Sequence, residues 1–259
     1  MRNLPNIKLS ERQLKSILET KLDYGGESYI CLGLEGNTLY KLFRNPDITT
    51  AFLYDDSYIP NITELVQMSD NKFQKIKRLH ELQLQYSVLP LSTISFNGEL
   101  IGYEMLEKTN MHPIWFGVLT VEEIIYYLNK IKKILEYFAK HDITYGDIKE
   151  RNILHNMVTG EMAFCDMDNV RIGENPIDVC DYELEFYLNN GGAEAYIDSY
   201  MHSLMTLEAL QLCLDDVEQN QKEYKTYFKR SALPIIKTLI KPEEYKGEYI
   251  LQYIKKRRG

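Results

Sequence analysis

Apolar residues along the 259-residue chain change period several times, and each change marks a predicted element. Leu9, Leu14, Ile17, Leu18 and Leu22 follow helical spacing, with Ser10 placed as N-cap and Glu11 in the first turn. Asp23-Tyr-Gly-Gly-Glu-Ser28 is a turn signal. Ser28–Leu34 and Thr38–Phe43 read as two strands joined by Glu35-Gly-Asn37 in a hairpin. Pro46 and Pro60 punctuate a connecting stretch. A helix is predicted from Asp70 or Asn71 to about Leu84, with Phe73, Ile76, Leu79 and Leu82 along one side. Strands are predicted at Val88–Phe96 and Leu100–Leu106, around the turn Asn97-Gly98.

After this the character changes. Thr120 to Lys140 reads as a long amphipathic helix, capped by Thr120, with Glu122 and Glu123 favourable near its positive end. Two short strands, Ile153–Asn156 and Met162–Cys165, flank a turn at Thr159-Gly160, and the chain from about Tyr196 is predicted helical. The strand-rich and helix-rich parts meet near Lys108–Pro113. The pattern predicts an α+β protein of two parts, residues 1–108 and 109–259, without internal repeats or low-complexity segments.

Composition narrows the function classes. Lys and Arg number 30 against 38 Asp and Glu, a net charge of −8, which argues against a non-specific grip on nucleic acid or anionic membrane. No run of about 18 apolar residues exists to span a bilayer. The start Met1-Arg-Asn-Leu-Pro has no apolar signal core, so export is not expected. Cys31, Cys165, Cys180 and Cys213 are far apart, which excludes paired-cysteine zinc and redox motifs and predicts reduced core thiols. The five histidines are equally scattered, and His80 reads as a partly buried helix residue rather than a ligand. A reduced, soluble, cytoplasmic protein is the expectation.

The stretch richest in chemistry is Ile143-Thr-Tyr-Gly-Asp147-Ile-Lys149-Glu-Arg-Asn152-Ile-Leu, followed by Ala163-Phe-Cys-Asp166-Met-Asp168. Phosphoryl transfer from ATP needs a carboxylate to orient or deprotonate the acceptor hydroxyl. It also needs a cation on the migrating group and oxygen ligands that hold Mg²⁺ against the phosphates. Asp147 can supply the first, Lys149 the second, and Asn152 with Asp166 the third. A hairpin between Asn152 and Asp166 can fold the latter back beside the former.

These residues resemble the protein-kinase-like superfamily, and the similarity covers nearly the whole chain. Asp147-Ile-Lys149-Glu-Arg-Asn152 matches the catalytic loop from its aspartate onward, and Phe164-Cys-Asp166 matches the strand and aspartate that open the metal-binding element. The resemblance extends to Leu39-Tyr-Lys41, similar to the strand whose lysine grips the α- and β-phosphates, with Leu39 over the adenine. It implies a reduced glycine-rich loop at Gly25-Gly26, and a fifth strand running to the hinge at Ile101-Gly-Tyr-Glu-Met105, with Met105 near the adenine. Asp198 resembles the aspartate that braces the catalytic-loop backbone. The implied fold is two-lobed, with a strand-rich nucleotide-binding lobe at 1–108 and a helical catalytic lobe at 109–259.

The sequence also departs from that pattern. Tyr145-Gly146 replaces the usual His-Arg, removing the anchor for a phosphorylated activation loop. This G-D-x-x-x-x-N form is similar to aminoglycoside and choline kinases, whereas Lys149 resembles protein kinases. Asp168 stands where a glycine is usual, and no A-P-E follows it. The helix at Lys72–Arg78 carries no acid to pair with Lys41; Glu64 precedes it, Glu81 follows it and Gln74 occupies its middle. The basic end Lys255-Lys-Arg-Arg-Gly259 reads as a solubilising tail. The expected activity is ATP- and Mg²⁺-dependent transfer to a protein Ser/Thr hydroxyl. The alternatives are a small-molecule hydroxyl acceptor and a nucleotide-binding pseudokinase that acts as an interaction module.

Overall fold

The computed structural model describes residues 4–24, 27–47, 58–178, 182–206 and 209. The chain is α+β and divides into two compact units, 1–110 and 111–259.

The first unit is built on a six-stranded sheet. Its elements are β1 (Asn6–Lys8), α1 (Glu11–Leu18), β2 (Lys21–Tyr24), β3 (Ser28–Leu32), β4 (Thr38–Phe43), α2 (Asp70–Leu82), β5 (Pro90–Phe96) and β6 (Glu99–Leu106). The sheet order is β1-β5-β6-β4-β3-β2, antiparallel except for β1, which runs parallel to β5. Ser10 and Gln13 form the capping box that starts α1, each side chain accepting the other's backbone N–H. Leu14, Ile17 and Leu18 of α1 bury against Tyr29, Cys31, Tyr40, Leu42, Ile94 and Ile101 to make the core of this unit.

Two expectations are corrected here. The first helix ends at Leu18 rather than Leu22, because the Thr20 hydroxyl donates to the Ile17 carbonyl and accepts from the Leu32 amide. Lys21–Tyr24 thereby joins the sheet as β2, and Leu22 lies exposed rather than on an apolar helix face. Ser69, not Asp70 or Asn71, caps α2, and the helix closes at Gln83 in the left-handed conformation. Its buried residues are Lys72, Lys75, Ile76 and Leu79, so the inner face is rotated from the predicted one and includes two lysine stems. His80 is half-buried, with Nδ1 3.0 Å from the Pro90 carbonyl oxygen.

The second unit contains β7 (His112–Pro113), α3 (Val121–Ala139), β8 (Ile143–Thr144), β9 (Ile153–His155), β10 (Met162–Phe164), β11 (Arg171–Ile172) and α4 (Tyr182–Asn189), with residues 197–206 also helical. Thr120 and Glu123 cap α3 reciprocally. Ile124, Leu128, Ile131, Leu135 and Phe138 form its buried stripe at helical spacing. β9 and β10 pair as the predicted hairpin, β7 extends that sheet, and β8 pairs with β11. The helix α4 was not expected. Of the helical prediction from Tyr196 onward, residues beyond 209 lie outside the described ones, as do Gly25, Gly26, Cys180 and Cys213. Cys31 and Cys165 are free thiols, the first buried and the second partly exposed.

Candidate functional site

In the second unit the candidate residues gather on the loop between β8 and β9. Asp147 is buried, and its carboxylate is held from two sides. Lys149 Nζ lies 2.6 Å from Asp147 Oδ1, and Asn152 Nδ2 donates to Asp147 Oδ2 at 2.7 Å. A second bond from Asn152 Nδ2 to the Asp147 carbonyl, 3.1 Å, closes the loop on itself. The local sequence produces this geometry: Glu150–Asn152 form a 3₁₀ turn, which brings position 152 back over position 147.

Asp166 reaches the same neighbourhood through the hairpin. Phe164 pairs with Ile153, and the Cys165 amide donates to the Asn152 carbonyl at 3.0 Å. Asp166 then adopts φ 54°, ψ 36°, the left-handed region that an aspartate enters at a cost of roughly 1–2 kcal/mol. Strain of this kind concentrates where a side chain must be aimed. The following 3₁₀ turn, Met167–Asn169, buries Asp168 at 1% exposure.

Beneath the loop lies a brace. Asp198 accepts the Tyr145 amide on Oδ2 at 3.0 Å and the Gly146 amide on Oδ1 at 2.8 Å, in line with the sequence reading of this aspartate. Burial raises the Asp198 carboxyl to about 6, although the two amide bonds and the charge of Arg171 pull the other way. Gly146 sits at φ +78°, and a Cβ there would lie 2.1 Å from Ile177 Cδ1. Glycine therefore answers two demands at once, backbone conformation and close packing. The residue that sequence reasoning undervalued is Tyr145. Its ring packs edge-on against Phe164, and its hydroxyl donates to the Cys165 carbonyl at 2.6 Å, tying the Asp147 loop to the segment that carries Asp166. An aromatic residue followed by Gly-Asp was the available signal.

Of the nucleotide-binding candidates, Leu39, Lys41 and Met105 occupy one face of the first unit's sheet, and Gly25 and Gly26 lie outside the described residues. Lys41 pairs with Tyr103 across β4 and β6, and Leu39 pairs with Met105. With a two-residue period, Leu39, Lys41, Tyr103 and Met105 share the face opposite Tyr40 and Leu42. Lys41 is 4% exposed, with Nζ 5.9 Å from the Tyr103 ring centroid. Gly102 permits the close strand approach there, since a Cβ would stand 2.2 Å from the Lys41 carbonyl oxygen.

The acids considered as partners for Lys41 are engaged as follows. Glu64 accepts the hydroxyls of Tyr29 and Tyr58, each at 2.5 Å, and Glu81 lies 3.5 Å from Arg78. Gln74 is exposed, away from the buried face of α2. Lys72 lies over the Phe43 ring and 3.6 Å from Glu27.

Among the described residues, no three His, Cys, Asp or Glu groups converge as a metal cage, and no helix is long and apolar enough to cross a membrane. Asn152 and Asp166 fit a different arrangement. Asn152 uses its amide nitrogen on Asp147, which leaves its carbonyl oxygen as the atom for a hard cation. A magnesium site with few protein oxygens, completed by phosphates and water, matches that supply. In comparisons with known proteins, no family model matches the chain, and neither does any curated protein sequence.

Proposed function

We propose that the chain is an ATP-dependent phosphotransferase of the two-lobed protein-kinase type, acting on a Ser/Thr hydroxyl. The observation that carries this reading is the arrangement at Asp147: a buried carboxylate held between the Lys149 ammonium and the Asn152 amide. A carboxylate needed only as a turn residue gains nothing from burial beside a lysine, because desolvating both charges is costly.

In the proposed reaction Asp147 accepts a hydrogen bond from the acceptor hydroxyl and takes its proton. The acceptor oxygen forms a bond to the γ-phosphorus, the bond from that phosphorus to the β,γ-bridging oxygen breaks, and ADP leaves. Lys149 offsets charge on the migrating oxygens, and Lys41 positions the nucleotide phosphates, with Leu39 and Met105 against the base. Asn152 and Asp166 would hold Mg²⁺, which would supply neutralisation of the phosphate charge. Asp198 and Tyr145 are positioning residues, which keep the loop rigid before ATP arrives.

The test is incubation of the full chain with labelled ATP and Mg²⁺ together with protein acceptors and a panel of small alcohols. Label transferred to serine or threonine supports the reading. Label on small alcohols alone selects the aminoglycoside- and choline-kinase-like alternative. ATP binding without transfer or hydrolysis selects the non-catalytic module.

A further inference from the structure

Within the second unit a cavity of about 380 Å³ opens beside the Asp147 loop, a size suited to one side chain or a small ligand. Phe116, Ile148 and Met205 make its apolar lining, and Lys149, Glu150 and Arg151 contribute its charges. Those three charges are not equivalent. Lys149 is paired with Asp147, and Glu150 accepts the Phe116 amide at 2.8 Å. Arg151 is exposed, and among the described residues no carboxylate pairs with its guanidinium. Among the described residues the cavity therefore offers an apolar wall and, at Arg151, a cation without a paired carboxylate, four positions along the chain from the carboxylate proposed to receive the acceptor proton.

Resting on the phosphotransfer reading, we infer that this cavity is an acceptor subsite that selects a peptide carrying an acidic side chain close to the phosphorylated serine or threonine. A guanidinium presents two parallel N–H donors that match a carboxylate, and the apolar wall accommodates the methylenes that carry it. The net charge of −8 opposes an acidic partner at long range. Screening confines that repulsion to about 8 Å at physiological salt, so the contact at Arg151 decides. Ile148, Lys149 and Arg151 all belong to the segment that positions Asp147, so a group bound here fixes the register of the neighbouring hydroxyl.

The experiment is kcat/KM of the full chain with labelled ATP–Mg²⁺ on serine peptides that carry Glu, Ala or Lys at each flanking position in turn. Glutamate at one position or more should raise kcat/KM about tenfold over alanine, chiefly through KM. Arg151→Ala should reduce that Glu-to-Ala ratio to near one, Arg151→Lys should retain part of it, and Arg151→Glu should move the preference to lysine. A ratio near one in the parent chain, or a ratio that survives Arg151→Ala, overturns the subsite while transfer itself still stands. Transfer to small alcohols alone also overturns it. Absence of ADP formation with every acceptor removes the phosphotransfer reading first, and the subsite with it.

Discussion

The two units place charged groups out of water by different means. In the second, Asp147, Lys149, Asn152, Tyr145 and Asp198 hold one another through short polar contacts, most of them within a single loop. In the first, strand register sets the position of Lys41 and a ring face is among its contacts, and its neighbours Leu39, Tyr103 and Met105 come from the pleat. A polar knot depends on each member, since an unmatched buried group costs more than the bond it replaces. A sheet spreads the same task over many backbone bonds. Substitutions in the second unit should therefore act sharply, and those in the first should be graded.

The largest expected effect is on chemistry. If the proposed reaction holds, Asp147→Ala should lower phosphoryl transfer by about 10²–10⁴-fold, the contribution expected of a general base, while ATP affinity by calorimetry stays nearly constant. Lys41→Met should do the reverse, weakening ATP binding more than the step that follows. Equal effects on both quantities in both variants would erase the contrast.

Gly146→Ala comes next, as it meets both the positive φ and the Ile177 contact. A loss of about 2–4 kcal/mol is expected in denaturant unfolding. A melt like that of the parent would show that the loop yields.

Acidification dissects the second unit further. His202 donates from Nε2 to the Leu128 carbonyl, and burial holds it near 4, so the folded chain keeps it neutral. The unfolded chain binds that proton near 6.5, so stability is lost as pH falls from 6.5 to 4, by about 3 kcal/mol. Asp198 acts with the opposite sign. Its raised pKa means the fold binds the proton more tightly, so its contribution is complete below 3.8 and lost as pH rises through 6. The two slopes offset each other in the parent chain. His202→Gln should leave a protein that gains stability between pH 6 and 4, and Asp198→Asn one that loses it, as read from denaturant midpoints across that range.

The smallest effects are the helix caps. Ser10→Ala in the first unit and Thr120→Ala in the second should each cost about 1 kcal/mol. Similar values would locate the difference between the units in their polar clusters rather than in their helices.

What was legible in the sequence followed how local its causes are. The helix α3 was read nearly to the residue because cap, acidic first turn and apolar stripe all lie within it. The gathering of Asp147, Lys149 and Asn152 was also legible, since the three lie within six consecutive positions. β1 and β2 were not read, because Asn6-Ile-Lys8 and Lys21-Leu-Asp-Tyr24 have little strand preference and owe their form to β5 and β3. Gly146 looked like a missing arginine, and its positive φ is visible only in the folded backbone. The lysine-bearing face of α2 was hidden because long cationic side chains bury their stems while reading as solvent-exposed.

The parallel strand β1 carries one more consequence. Asn6 and its partner Thr93 are 87 positions apart. At ribosomal speeds of about 5–20 residues per second, the leading strand waits roughly 4–17 s for its neighbour to be translated. Throughout that interval its hydrogen-bonding edge has no native mate, so this edge of the sheet is completed only after β5 has been made.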